Sequence, residues 1–336
     1  MSILVQKPGL LSTFQDGGRW GYQSLGVNVS GIMDPSAFRL ANILVGNDAQ
    51  QTCLEMTVLG ASLLFEHHAC IALTGAFLNP HIDDSPIQNN RAYFIKAGQT
   101  LHFKTGATTT GARTYLAVFG GFNLPNVMHS HSTDLKSKLG GLNGQALKKQ
   151  DRIPLNGTFA DTHIPLLKER INSQRIYLSS GLGLQKRSSI RVLTGVHFDL
   201  FSPESQQQFL HQSFTISPQS DRMGYRLQGQ TLNLTKPLQI FSEPSNFGTI
   251  QVPPDGNPII LMADRQSTGG YPKIANVITA DLGYLAQSLP GEQIHFTLTT
   301  LEEAQQSWFE RLKRFEQLKQ QLHDTVKTLH QYFSHF

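Results

Sequence analysis

Gly98-Gln99-Thr100-Leu101-His102-Phe103 and Gly291-Glu292-Gln293-Ile294-His295-Phe296 are two copies of one pattern. Each opens on a glycine and then alternates polar with apolar residues, the period of a strand with one buried face. Three further matches run in the same order. Ser30-Gly31-Ile32-Met33 parallels Ser220-Asp221-Arg222-Met223. Glu55 and Gly60 parallel Glu243 and Gly248. Ile71-Ala72-Leu73 parallels Ile259-Ile260-Leu261. Ordered matches of this kind imply duplication, giving two halves of similar, barrel-like β architecture. A pair of related halves leaves a cleft between them, a usual place for a ligand.

Outward from the repeat, short apolar or alternating runs lie between Gly, Pro and Asn punctuation and read as strands. They are Ser62–Phe65, Cys70–Leu73, Ala92–Ile95, Thr100–Phe103, Thr114–Val118, Ile190–Leu193, Leu238–Phe241, Ile259–Met262 and Gln293–Leu298. Helices are expected over Pro35–Val45, capped by Asp34, and over Pro203–Phe209, capped by Ser202, each with proline at the first helical position. A third is expected over Ala275–Gln287, against the β-branched residues Val277, Ile278 and Thr279. From Leu301 to Phe336, Gly and Pro vanish. Apolar residues then recur at steps of three and four, from Leu301 through Trp308, Phe315, Leu322 and Leu329 to Phe333. That is one helix face of about 50 Å. Its stripe packs on the chain's own body or on a neighbouring protein. The resulting division is 1–170 and 171–300 for the halves and 301–336 for the tail.

Composition narrows the function classes. Charged residues are 15% of the chain, well under the usual quarter or so, and net charge is only +4. Lys148-Lys149 and Lys186-Arg187 are isolated pairs, so no basic face for nucleic acid is expected. No apolar run approaches a bilayer span, and Met1 to Leu11 lacks the pattern of a signal peptide. A soluble cytoplasmic protein is the expectation. Cys53 and Cys70 do not form a C-x-x-C pair. They are buried free thiols or one disulfide. His129 and His131 lack a third ligand nearby, so no metal is expected.

The densest chemistry lies in Asp264-Arg265-Gln266-Ser267-Thr268-Gly269-Gly270-Tyr271-Pro272-Lys273, with Asp281 eight residues on. The segment leaves the apolar strand Ile259–Met262. Gly269-Gly270 lets backbone approach a ligand. Asp, Gln, Tyr and Lys supply a base, an amide reader, a phenol and a cation, an inventory suited to a small amide, imide or acyl phosphate. There is no Walker spacing and no G-x-S-x-G elbow, which argues against a P-loop and a serine hydrolase. Ser220 to Arg226 packs a carboxylate, two guanidinium groups and a phenol into seven residues. Val27 to Pro35 leads small residues into a helix N-terminus, a place for an anion.

These segments together resemble the allophanate hydrolase subunit 2 family, over roughly Val5 to Thr297. The motifs that carry the likeness are Gln15-Asp16-Gly17-Gly18-Arg19, Ser30 to Asp34, Ala41 to Asn47, Leu54-Glu55-Met56-Thr57, Thr74-Gly75-Ala76, Ser220 to Leu227 and Gln266 to Ala275. One departure stands out. Where the family usually reads Gly-Ser-Arg-Ser-Thr, this chain reads His129-Ser130-His131-Ser132-Thr133, with a titrating group in place of a permanent cation.

The resemblance implies a mainly β fold of two cyclophilin-like barrel halves, with a few short helices and the helical tail. It implies the C component of an ATP-dependent 5-oxoprolinase that opens 5-oxoproline to glutamate, with ATP used at the level of the complex. The implied partners are the B component, an allophanate hydrolase subunit 1-like chain, and the A component of the same enzyme. Its other branches imply a carboxyltransferase component of a biotin-dependent urea carboxylase, or a regulatory protein that binds a kinase inhibitor. The catalytic candidates are Asp264, Lys273 and Tyr271. The substrate-binding candidates are Arg222, Gln266, Ser267, Thr268, Gly269, Gly270, Ser30, Asp34, Glu55 and His131.

Overall fold

The computed structural model describes residues 1–104, 106, 109–185 and 187–335, so Lys186 of the basic pair lies outside the described residues. The fold is mainly β, with few helices and a long C-terminal one. In the first half, a six-stranded and a five-stranded sheet face each other. Ile3, Leu54, Leu63, Ile71 and Leu116 fill the layer between them. The strand Ala69–Phe77 shows why its run is continuously apolar. Ile71 and Leu73 enter that layer, whereas Cys70 and Ala72 point the other way, into a second core. Both cysteines are buried free thiols there. Burial pushes the Cys70 thiol up to about 12.

Helices α1 (Pro35–Val45), α2 (Ile164–Ser173) and α5 (Leu301–Tyr332) cover that second core. As expected, Asp34 caps α1, its Oδ1 accepting from the Ser36 and Ala37 amides at 3.0 Å. Gly46 ends the helix in the left-handed conformation. On α5, Phe315, Leu318, Leu322 and Leu329 are buried among α1 and α2 residues, so the stripe packs on the chain's own helices. Leu301 and Phe309 stay exposed. Phe333 begins a short strand paired with Gly157–Phe159. Its ring lies so close to Gly120 and Gly157 that a Cβ at either would collide with it, at 2.3 and 2.6 Å.

The second half is a closed seven-stranded barrel. Its strand order is Ser189–Thr194, Lys273–Val277, Thr249–Gln251, Ile259–Leu261, Gly224–Gln228, Ser213–Ile216, Gln293–Leu298. The parallel pairing of the first with the last closes the ring. Phe209, Phe214 and Phe296 pack inside it, the first from α3 (Pro203–His211). Met33 of the first half also inserts into this core.

Two expectations fail. Leu238–Phe241 forms no strand, and Phe241 is 93% exposed. The run is apolar, but nothing among the described residues pairs with its backbone as a strand. Ala275–Gln287 is not one helix. It divides into the end of the strand Lys273–Val277, a 3-10 turn at Thr279–Asp281 and α4 (Leu282–Ala286). Val277 and Ile278 took the extended conformation that β-branched residues favour, and Thr279 opens the 3-10 turn.

Candidate functional site

The loop Asp264–Lys273 is held at both ends by ion pairs. At its start, Asp264 receives Arg222 through Nε (2.8 Å) and Nη2 (3.0 Å). At its end, Lys273 Nζ donates to Glu243 Oε2 at 2.7 Å. Between these anchors, Gln266, Thr268, Gly269, Gly270 and Tyr271 line a cleft of about 680 Å³ on the flank of the barrel. Asp221, Met223, Arg226, Gln251 and Arg265 also line it. Thr268–Gly269 pairs with Glu243–Pro244, which fixes the backbone of the loop. The Ser267 carbonyl accepts from the Ser245 amide.

A second polar assembly lies between the halves and is closed. Beyond Asp264, the Arg222 guanidinium bonds Glu55 Oε1 through Nη1 and the Gly31 carbonyl through Nη2. The two Ser30–Met33-type repeat copies therefore meet each other directly. Glu55 Oε2 accepts from the Met33 amide (3.0 Å) and from the Tyr115 hydroxyl (2.6 Å). Tyr115 in turn accepts from the Asp34 amide (2.8 Å). Arg113 bonds the Tyr225 hydroxyl and the Ala286 carbonyl. Gln287 donates to Asp34 Oδ2 and the Arg113 carbonyl while accepting from the Ala112 and Arg113 amides. Burial pulls the Arg222 pKa down, but the Asp264 and Glu55 charges more than reverse it and leave it raised.

This geometry changes several expected roles. Arg222 is not free to take a substrate anion, because Nε, Nη1 and Nη2 are all bonded to protein oxygens. Glu55 and Asp34 belong to the same joint. Ser30 lies beside it with φ 55° and a buried hydroxyl that lacks a partner. Asp264 and Lys273 are each in an ion pair rather than poised as free acid and base. His131 is not among the residues that line the cleft. Its amide donates to Asp16 Oδ2 and its ring Nδ1 sits 3.1 Å from the Pro125 carbonyl. Asp16 organises that loop, accepting also from the Ser130 and Ser132 hydroxyls. Among the described residues, no group of three or more His, Cys, Asp and Glu is arranged for a metal ion. No helix of the described residues is long and apolar enough to cross a membrane.

Residues 25–298 match the family described as "Carboxyltransferase domain, subdomain A and B". The chain belongs to that carboxyltransferase family. Among its curated relatives, the C component of the Escherichia coli (strain K12) 5-oxoprolinase is 40% identical over 323 residues, covering 96% of this chain and 99% of the relative. The C component of the Haemophilus influenzae 5-oxoprolinase is 42% identical over 293 residues, covering 87% and 90%. The Lachancea kluyveri urea amidolyase is 32% identical over 90% of this chain, which spans only 17% of that protein. Among solved structures, the Kluyveromyces lactis urea carboxylase superposes with a TM-score of 0.83 at 29% identity, over 94% of this chain and 29% of that one. The carboxyltransferase family match thus spans the joint, the cleft and the barrel together.

Sequence reasoning did not single out Gln251, Arg265 or Ser245. Arg265 stood inside the quoted segment, but its charge looked like one of several. Gln251 sits at the end of an unremarked three-residue strand, and its situation depends on contacts that no local pattern encodes.

Proposed function

We propose that this chain works as the C component of an ATP-dependent 5-oxoprolinase complex. In that complex it opens 5-oxoproline to glutamate with a B component of the allophanate hydrolase subunit 1 type and with an A component. The observation that carries this reading is coverage. Alignment with the Escherichia coli relative runs over 99% of that protein, whereas the Lachancea kluyveri urea amidolyase is matched over 17% of its length. The match therefore takes in nearly the whole of the first relative and about a sixth of the second.

In this reading the barrel cleft takes the amide. Gln266 and Tyr271 face it and supply the hydrogen bonds that orient a lactam, while Gly269-Gly270 admits it close to backbone. Asp264 and Lys273 act as positioning residues, since each charge is fixed by a partner at one end of the loop. Arg222 ties the loop start to the first half. ATP is used at the level of the complex.

The second reading is carboxyl transfer to an amide nitrogen, favoured by the family description and the urea carboxylase superposition. There biotin, borne by a carrier, would supply the carboxyl group to the same cleft. Reconstitution separates the two. With the partner proteins, ATP and 5-oxoproline, glutamate is expected to form, and Lys273→Ala is expected to lose most of that turnover. Urea-dependent consumption of carboxybiotin without glutamate formation would replace the first reading by the second.

A further inference from the structure

We propose that Arg265, with the side-chain amide of Gln251, forms a subsite in the barrel cleft that selects a small cyclic amide bearing a carboxylate. The proposal rests on the 5-oxoprolinase reading and adds the residues that distinguish its substrate from an uncharged lactam. Arg265 is only 5% exposed, yet among the described residues no carboxylate bonds it. Its Nε donates to the Ser245 carbonyl at 3.2 Å, and Nη1 has only the Met262 and Ala263 carbonyls, at 3.5 Å. The last two are at the limit of a hydrogen bond. Among the described residues nothing accepts from Nη2. The neighbouring Asp264 is already held by Arg222. Burying a guanidinium without an anion is costly, and its planar fork matches a carboxylate.

Two more buried polar groups beside it lack partners. Gln251 is 9% exposed and its Oε1 has no hydrogen bond; Ser245 is 6% exposed and its hydroxyl has none. Both converge on Gly269, where a Cβ would lie 3.0 Å from Gln251 Oε1 and 3.4 Å from Ser245 Oγ. Buried polar groups in native proteins are nearly always satisfied, and here a ligand is the natural source of the missing bonds. The Gln251 amide offers one donor side and one acceptor side, the complement of a lactam. The acids on the cleft wall do not compete for Arg265. Asp221 Oδ1 accepts from the Met223 and Gly224 amides, and Asp255 Oδ1 from the Asn257 amide.

Steady-state kinetics of the reconstituted complex test the subsite. Arg265→Gln is expected to raise KM for 5-oxoproline about 30-fold, equivalent to about 2 kcal/mol, with kcat and the KM for ATP little changed. The uncharged 2-pyrrolidinone, weaker than 5-oxoproline on the wild type, should compete equally well against wild type and variant. Gly269→Ala is the second arm, because its backbone is not left-handed and its methyl intrudes on Gln251 and Ser245 without touching Arg265. It too should raise KM for 5-oxoproline. Glutamate formation with unchanged KM in both variants overturns the subsite alone. A wild-type complex that forms no glutamate overturns the 5-oxoprolinase reading and the subsite with it.

Discussion

Arg222 and Arg265 are equally buried, each 5% exposed, and the protein treats them in opposite ways. Arg222 sits in the joint between the halves, with two carboxylates and a carbonyl around its fork. Arg265 sits under the cleft with carbonyls and the face of the Phe247 ring but no bonded carboxylate, and burial draws its pKa down to about 10. Burial and charge therefore do not mark a binding group by themselves. What separates the two is whether the protein has already supplied the counter-charge. Around Arg222 every nitrogen of the fork is bonded to a protein oxygen, so the group is structural. Around Arg265 the cleft is under-satisfied and so is available.

The largest expected effect tests the Arg222 side. Arg222→Met leaves Asp264 as a buried carboxylate without its cation and leaves Glu55 with Arg113 alone, 3.9 Å away, a loss of about 3–5 kcal/mol. Urea unfolding of the full chain measures it. A loss below about 1 kcal/mol would mean that the halves are held by apolar contacts such as Met33, and that the joint resembles the cleft after all.

Tyr115→Phe probes the same joint more gently. It removes the donor to Glu55 Oε2 and leaves the Asp34 amide at the head of α1 without an acceptor. One unsatisfied buried group predicts a loss of about 1–3 kcal/mol by the same unfolding measurement. Equality with wild type would show that the Tyr115 hydroxyl is incidental to the network.

The contrast also explains what was legible in the sequence. Helix α1 was readable to the residue because its signals are local: Asp34 before Pro35, and Gly46 after Val45. The period of α5 was equally local. The run Leu238–Phe241 misled because apolar character says nothing about whether a partner covers it. The loop Asp264–Lys273 was correctly placed at a strand end, but the roles within it were not readable. Arg222 reaches Asp264 across 42 positions and Glu55 across 167, while Lys273 reaches Glu243 across 30. A charge is assigned to joint or cleft by such distant partners. The orphaned oxygen of Gln251 has no sequence signature at all.

A smaller effect is expected at the Lys273 anchor, on the border between the two regions. The Lys273 ammonium holds the Glu243 carboxyl below its usual range. A depressed folded-state pKa contributes stability that is present above the unfolded value of about 4.3 and is lost as pH falls through the folded value. Glu243→Gln should therefore melt below wild type at neutral pH, and the gap should close in acid. A gap that stays constant or opens as pH falls would remove this ion pair as the anchor of the loop end.

The smallest effect belongs to the cleft itself. The Gln251 Oε1 accepts no hydrogen bond within the protein. Gln251→Met keeps the length of the side chain and removes a buried oxygen that lacks a partner. Replacing an unsatisfied polar group by an apolar one of similar shape is neutral or stabilising, so unfolding should change by less than about 0.5 kcal/mol or rise. The same kind of change in the joint would be damaging, because Glu55, Tyr115 and Gln287 each have bonded partners to strand. A destabilisation of about 2 kcal/mol or more for Gln251→Met, larger than the usual worth of one neutral hydrogen bond, would mean that this amide is satisfied internally after all. The cleft would then be as closed as the joint, and the case for a ligand beneath Gly269 would fall with it.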